Sequence, residues 1–372
     1  LALRPDAQVI GKTSQKEGVY TAMEALLKEW DGETVIIRYD QPTGAWILIA
    51  IHSTRLGPAT GGTRMKTYPD VRAALQDAFR LAQGMTYKFA TPGLPLGGGK
   101  AVIAIPPDFE PESRPALLRR YGSLVRQLGG LFSTGPDVGT SSADMDIIAD
   151  TGAPYIFART PEAGGAGSPG PFTALGVFTG IQIACEYALG RANVKGLRVL
   201  VQGAGSVGGA VIQHLRMADA EVLFSEVDQA AICRFRDELG LEYVTPDAVF
   251  ETECDVFVPC ALGGVLNADT IRQLQCKAVA GGANNQLAAP EDAERLRVRG
   301  ILYAPDFVIN VGGALGITGM ETHGWTQSRA EKEVTEAVRS ALRQVFDLAT
   351  TEGITTDSAA LRIAEERLSR AA

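Results

Sequence analysis

Apolar residues recur along this chain in two rhythms, and the change from one to the other marks its organisation. Val71, Ala74, Leu75, Ala78, Leu81, Ala82 and Met85 keep helical spacing. They predict a helix over 71–87 with one buried face and Lys88 at its end. Before it, Thr34 to Tyr39 and Ala45 to His52 read as strands, and Asp40 to Gly44 supplies turn residues for a hairpin. Gly57 to Arg64 reads as a glycine-rich loop. A second glycine cluster, Gly97-Gly98-Gly99-Lys100, leads into Ala101 to Ile105, a continuous apolar run of the buried-strand kind that Pro106-Pro107 stops. Arg114 to Leu128 reads as a helix, and Ser133 to Ser142 as a polar loop carrying Asp137.

Ala163 to Pro171, dense in Gly, Ser and Pro, is the strongest linker signal. Beyond it, Phe172 to Ala188 reads as a helix. Strand-like runs then alternate with helices: Leu197 to Val201, Glu221 to Ser225, Val256 to Val258, Ala278 to Ala280 and Ile301 to Tyr303. Such alternation implies a parallel sheet covered on both faces. The fold class is therefore α/β. An N-terminal α/β domain (residues 1–165) precedes a second, doubly wound α/β domain (166–334), with a cleft between them. Helices from about 335 to 372 are expected to pack back on the first domain.

Bulk properties narrow the function. The length of 372 residues suits two domains. A formal net charge of −8 argues against general nucleic-acid binding. The five cysteines are an odd number without close pairs, and the three histidines lack a metal-binding spacing, so buried free thiols and no metal are expected. Residues 1–20 lack the apolar core of a signal peptide, and no run reads as a membrane span. A cytoplasmic location without membrane contact follows as the default.

Gly203-Ala204-Gly205-Ser206-Val207-Gly208 follows a strand and opens a helix, and Glu226 ends the next strand. That is the dinucleotide fingerprint. Gly203 serves the tight turn, Gly205 the approach of a pyrophosphate to the helix N-terminus, and Gly208 close packing of helix on strand. A carboxylate at Glu226 accepts from a ribose hydroxyl and repels a 2′-phosphate, so NAD is the expected cofactor.

Lys88 and Lys100 both adjoin apolar stretches. A lysine desolvated there, close to a second ammonium, has a lowered pKa and serves as a general base near neutral pH. Asp137 is either a carboxylate paired to such a lysine or an ordinary turn residue; spacing does not decide. Beyond these residues, Gly61-Gly62-Thr63-Arg64-Met65, Gly84 to Lys88, Gly97 to Lys100, Gly135 to Gly139, Gly282 to Asn285 and Ala304 to Asn310 occur in that order. Together they resemble the glutamate/leucine/phenylalanine/valine dehydrogenase family over most of the chain.

The resemblance implies that residues 1–165 form a substrate and oligomerisation domain and 166–334 a Rossmann-type dinucleotide-binding domain, and it implies roles for single residues. Lys88 would bind the substrate carboxylate, Lys100 would activate water, and Asp137 would handle protons on the amine. Asn284 would help hold substrate and nicotinamide, Asn310 the substrate's polar end, and Thr173 the nicotinamide amide. The implied reaction is reversible NAD-dependent oxidative deamination of an L-amino acid to a 2-oxo acid and ammonia, by a homo-oligomer. Glutamate-specific relatives carry a lysine just before Gly61-Gly62, where this chain has Thr60, so an apolar substrate is expected. Small residues at Gly135 and Ala314 leave room for a ring. They point to the phenylalanine-specific branch, with leucine or valine specificity as the alternative. A more distant alternative is a non-catalytic NAD-binding regulator.

Overall fold

The computed structural model describes residues 23–371. The N-terminal stretch read above for a signal peptide lies outside them. After a helical turn at 23–29 (α1), the hairpin forms as expected: β1 (Thr34–Asp40) pairs antiparallel with β2 (Ala45–Ser53). Gly44, at φ +68°, closes the turn by donating its N–H to the Asp40 carbonyl.

The segment read as a glycine loop is mostly a strand. Ala59–Lys66 is β3, which runs between β4 (Gly97–Ala104) and β5 (Phe132–Pro136), parallel to both. The full order is β1-β2-β4-β3-β5. Its glycines are there because neighbouring backbone comes so near. A Cβ on Gly61 would lie 1.8 Å from the Gly99 carbonyl oxygen, so no larger residue fits. Three helices join this sheet: α2 (Val71–Ala90), α3 (Arg114–Gln127) and α4 (Ser142–Gly152). The first packs on β2 and β4, and its last turn includes Lys88. The polar loop expected over 133–142 is shorter than read. Its start belongs to β5, and its end is the capping box of α4, in which Ser141 and Asp144 bond reciprocally.

The second sheet is built from α5 (Gly170–Leu189), β6 (Arg198–Gln202), α6 (Ser206–Met217), β7 (Glu221–Ser225), α7 (Gln229–Ile232), β8 (Glu242–Tyr243), β9 (Val256–Pro259), α8 (Ala268–Gln273), β10 (Ala278–Val279), α9 (Glu291–Val298) and β11 (Leu302–Tyr303). Every strand pair is parallel, in the order β11-β10-β9-β6-β7-β8. This is the doubly wound arrangement whose switch point lies at β6 and β9. Four helices follow: α10 (Asp306–Ile309), α11 (Gly312–His323), α12 (Gln327–Glu352) and α13 (Thr356–Arg370).

Three further expectations need correcting. Only part of the C-terminal segment packs back on the first domain: the long helix α12 lies on α5 and α11, whereas α13 reaches α2, as does the short α10 before them. Contrary to the sequence reading, α5 is long and apolar enough to cross a membrane by length and composition. Its apolar residues are instead buried where α6, α11 and α12 surround it, which accounts for an apolar surface all round. The cysteines are free thiols, four at least partly buried and Cys233 exposed, where burial of all was expected.

Candidate active site

A cleft of about 300 Å³ lies between the two sheets. One wall comes from the first: Thr60, Gly61, Gly62 and Arg64 on β3, Met85 and Lys88 on α2, Lys100 on β4, and Gly135, Pro136 and Asp137 at the end of β5. The other wall is Thr173, Val207, Gly282, Asn284, Asn285, Asp306, Asn310, Ala314 and Ile317. The sequence-named residues Lys88, Lys100, Asp137, Gly61, Gly62, Gly135, Asn284, Asn310, Ala314, Thr173 and Val207 thus share one cavity.

The first wall is charged and locked. Lys100 is 5% exposed. Its ammonium lies 3.1 Å from an Asp137 carboxylate oxygen, and the same oxygen accepts from Arg64 Nε at 2.8 Å. Arg64 Nη1 also donates to Asp77 at 3.0 Å, where Tyr68 adds its hydroxyl at 2.7 Å. Burial pulls the Lys100 ammonium below its usual range and Arg64 adds to the pull, while Asp137 opposes it. For Asp137, burial pushes the carboxyl up, but Lys100 and Arg64 outweigh it and hold it below the ordinary carboxylate range. Lys88 is brought down to about 8, by burial first and then by the charge of Lys100; Asp306 and Asp137 pull the other way.

Arg64, Asp77 and Asp306 were missed as site residues. Arg64 sits inside a motif the sequence reading quoted, and strand alternation puts it on the same face of β3 as Gly62. Asp306 accepts from Asn285 N–H at 2.6 Å and from the Tyr303 hydroxyl at 2.9 Å, pinning the turn that carries Asn284.

Apart from the Asp306 carboxyl, the second wall is built of neutral, directional groups. Asn310, 2% exposed, donates to Asn284 Oδ1 at 2.8 Å and to the Gly282 carbonyl at 3.4 Å, which fixes the orientation of its amide. Its own Oδ1 has no partner in the protein, so a ligand donor is the expected complement. Thr173 donates to the Pro169 carbonyl, leaving its oxygen free to accept in the cleft.

The glycine turn fits a dinucleotide. Gly203 has φ +91°, while a Cβ on Gly205 would meet nothing within 4 Å, leaving the approach to the α6 N-terminus open. A Cβ on Gly208 would lie 1.9 Å from the Gly203 carbonyl oxygen, so helix and turn touch there. Ser206 begins α6. Glu226 accepts from Ala204 N–H and from Val227 N–H, each at 2.7 Å. Burial works to raise its carboxyl, yet these N–H groups bring it below the usual value, so it stands charged beside the turn. A charged acid there, followed by Asp228, suits the ribose of NAD and not a 2′-phosphate.

A dinucleotide turn that faces a lysine–carboxylate pair across one cleft defines an NAD-dependent dehydrogenase. Residues 41–153 match the profile described as Glu/Leu/Phe/Val dehydrogenase, dimerisation domain, and residues 220–372 match Glutamate/Leucine/Phenylalanine/Valine dehydrogenase. The chain belongs to this family of amino-acid dehydrogenases. It is 41% identical to the leucine dehydrogenase of Geobacillus stearothermophilus over 92% of each chain. To the valine dehydrogenase of Streptomyces coelicolor it is 40% identical, over 91% of this chain and 93% of that one. The crystal structure of L-tryptophan dehydrogenase from Nostoc punctiforme superposes with a TM-score of 0.79 at 37% identity, covering 94% of this chain and 99% of that one. These relatives are named for leucine, valine and tryptophan, so the expectation of the phenylalanine-specific branch gives way to the family as a whole.

Proposed function

We propose that this chain catalyses the reversible oxidative deamination of an apolar L-amino acid to its 2-oxo acid and ammonia, with leucine and valine ahead of phenylalanine. The observation that carries the reading is the buried Lys100–Asp137 pair opposite the dinucleotide turn. When bound, NAD⁺ supplies the hydride acceptor for the α-carbon. Lys88 holds the substrate carboxylate through its ammonium, and Asn310 offers its unpartnered oxygen to the amine. Once the α-carbon has become an imine, neutral Lys100 takes a proton from water, and the hydroxide attacks that carbon. The proton passes to Asp137, 3.1 Å away, and from there to the nitrogen; ammonia then leaves as the carbonyl forms, and Lys100, neutral again, takes the hydroxyl proton. Arg64 keeps Asp137 in place throughout. The completeness of this set speaks against a regulator that only binds NAD.

The side-chain end of the cleft supports an apolar substrate: Thr60 stands where a cation would serve glutamate, and Ala314, Ile317 and Phe157 line the cavity. The similar relatives support leucine and valine. A second reading, an aromatic side chain, is favoured by Gly135. No backbone strain or contact demands glycine there, since an added Cβ would meet nothing nearer than 3.7 Å. Its smallness therefore serves cavity space. The profile matched by the first domain is described as a dimerisation domain, and edge strand β1 exposes Ile37 and Tyr39, which supports a homo-oligomer. The deciding experiment follows NADH absorbance with NAD⁺ and a panel of L-amino acids. Leucine and valine should give the highest kcat/KM, with phenylalanine and tryptophan ranking the second reading. Absence of NADH with every apolar amino acid would overturn the proposal.

A further inference from the structure

The chain passes from one sheet to the other through residues 158–167, a loop closed on itself by Gly167 N–H to the Arg159 carbonyl and Gly165 N–H to the Thr160 carbonyl, both 2.9 Å. Two carboxylates grip it. On the first-domain side, Asp146 of α4 accepts from the N–H and hydroxyl of Thr160, at 3.0 and 2.7 Å. On the nucleotide side, Glu321 of α11 uses a single oxygen to accept from Ala158 N–H at 3.0 Å and Ala166 N–H at 2.7 Å. It therefore ties the start and the end of the crossing to one point. Ala158 is buried and takes φ +56°, a left-handed conformation that alanine adopts only when surroundings enforce it.

Both ends of this contact reach the cavity. Ala314, Ile317 and Thr318 line the cleft from α11, and helical spacing puts Glu321 on the same face one turn further on. Phe157 and Ala158 line the cleft too, and Gly135 looks onto them. α11 and the 157–158 backbone thus both border the cavity beside Gly135, so a change in their separation changes its width. We propose that Glu321 is a positioning residue that sets this width, and with it the side-chain selectivity of the enzyme, by holding Ala158 and Ala166 to α11. The proposal rests on the amino-acid dehydrogenase reading of the same cleft and adds a determinant outside the reacting groups.

The test compares Glu321→Ala, Glu321→Gln and Glu321→Asp with the unaltered protein. First, amide exchange at Ala158 and Ala166 is measured without substrate. Exchange should quicken in Glu321→Ala and stay near the original rate in Glu321→Gln, whose amide oxygen accepts the same two N–H groups. Next, kcat/KM is measured for leucine, valine and phenylalanine. Glu321→Ala should change the leucine-to-phenylalanine ratio by about fivefold or more, with KM for NAD⁺ held within about twofold. Glu321→Gln should restore the ratio, and Glu321→Asp, one methylene shorter, should alter it even if the alanine variant fails to fold. An unchanged ratio in both Glu321→Ala and Glu321→Asp, or a glutamine variant as damaged as the alanine one, would overturn the proposal. If the unaltered protein oxidises no amino acid while the exchange results hold, the dehydrogenase reading fails and the tether stands alone.

Discussion

The two walls of the cleft solve opposite problems. On the first, Lys88, Lys100, Arg64 and Arg80 face Asp77 and Asp137, so positive charge is in excess, the sign a substrate carboxylate needs. On the second, Asn284, Asn310 and Thr173 carry no charge and offer fixed donors and acceptors. The charged wall is expensive to bury; Lys100, Arg64, Asp77 and Asp137 are held in ion pairs, and Lys88 is left to pair with the substrate carboxylate. The amide wall fixes direction, because Asn310 donates to Asn284 and to the Gly282 carbonyl and leaves one acceptor open. The difference teaches a division of labour: proton transfer on one side, orientation of the reacting carbon and the nucleotide on the other.

The strongest way to break that division is Lys100→Ala. Turnover should fall by about a hundredfold or more, while NADH affinity, which belongs to the other wall, stays within about twofold. Stopped-flow turnover and NADH fluorescence titration read the two effects separately. Near-normal turnover would end the role proposed for Lys100.

The pH profile sharpens the picture of the charged wall. Lys88 binds a carboxylate only as the ammonium, and burial beside Lys100 brings it down to about 8. Below that pH the charge is present; above it the charge is lost. The KM for the amino acid should therefore climb above about pH 8, approaching roughly tenfold per pH unit. Lys100 works in the reverse sense, since its neutral form is the base, so kcat should rise with pH. A KM that is flat through pH 9.5 would contradict the proposed role of Lys88. On the nucleotide side, Glu226→Ala should weaken NAD⁺ binding roughly five- to tenfold and narrow the preference over NADP⁺, with kcat at saturation little changed. Equal loss of kcat would mean the walls are not independent.

Legibility in the sequence followed the same divide. The nucleotide turn declared itself because its glycines lie between a strand and a helix and answer to a known ligand geometry. The glycines of β3 and β4 misled: in the first-domain sheet they sit inside strands, where neighbouring backbone excludes any Cβ, and composition alone reads as loop. Lys100 could be singled out because three glycines and an apolar strand flank it. The network behind it, in which Arg64 bonds both Asp137 and Asp77, could not be joined up, since those contacts exist only once β3, α2 and β5 come together. The same holds for Glu321, which lies far along the chain from the residues it holds. The apolar length of α5 was missed because the reading sought uninterrupted runs, and this helix carries Thr, Gln and Glu within an otherwise apolar stretch.

The smallest expected effect tests where the walls meet. Gly135→Ala adds one methyl, and an ideal Cβ there would sit 3.7 Å from the Phe157 carbonyl oxygen and 3.9 Å from the Ala158 Cβ, ordinary contact distances. The backbone should therefore accept the change with no loss of thermal stability beyond about 1 kcal/mol, because glycine is not required by a left-handed φ. What the methyl takes is cavity volume beside the 157–158 backbone. A ring needs that volume more than a branched aliphatic chain does, so kcat/KM should move from phenylalanine toward leucine and valine by about ten times. The ratio, measured under identical NAD⁺ saturation, cancels any common change in folding or nucleotide binding. Constant ratios would mean that substrate side chains never reach Gly135, and the side-chain end of the cavity would have to be sought between Met85 and Ile317 instead.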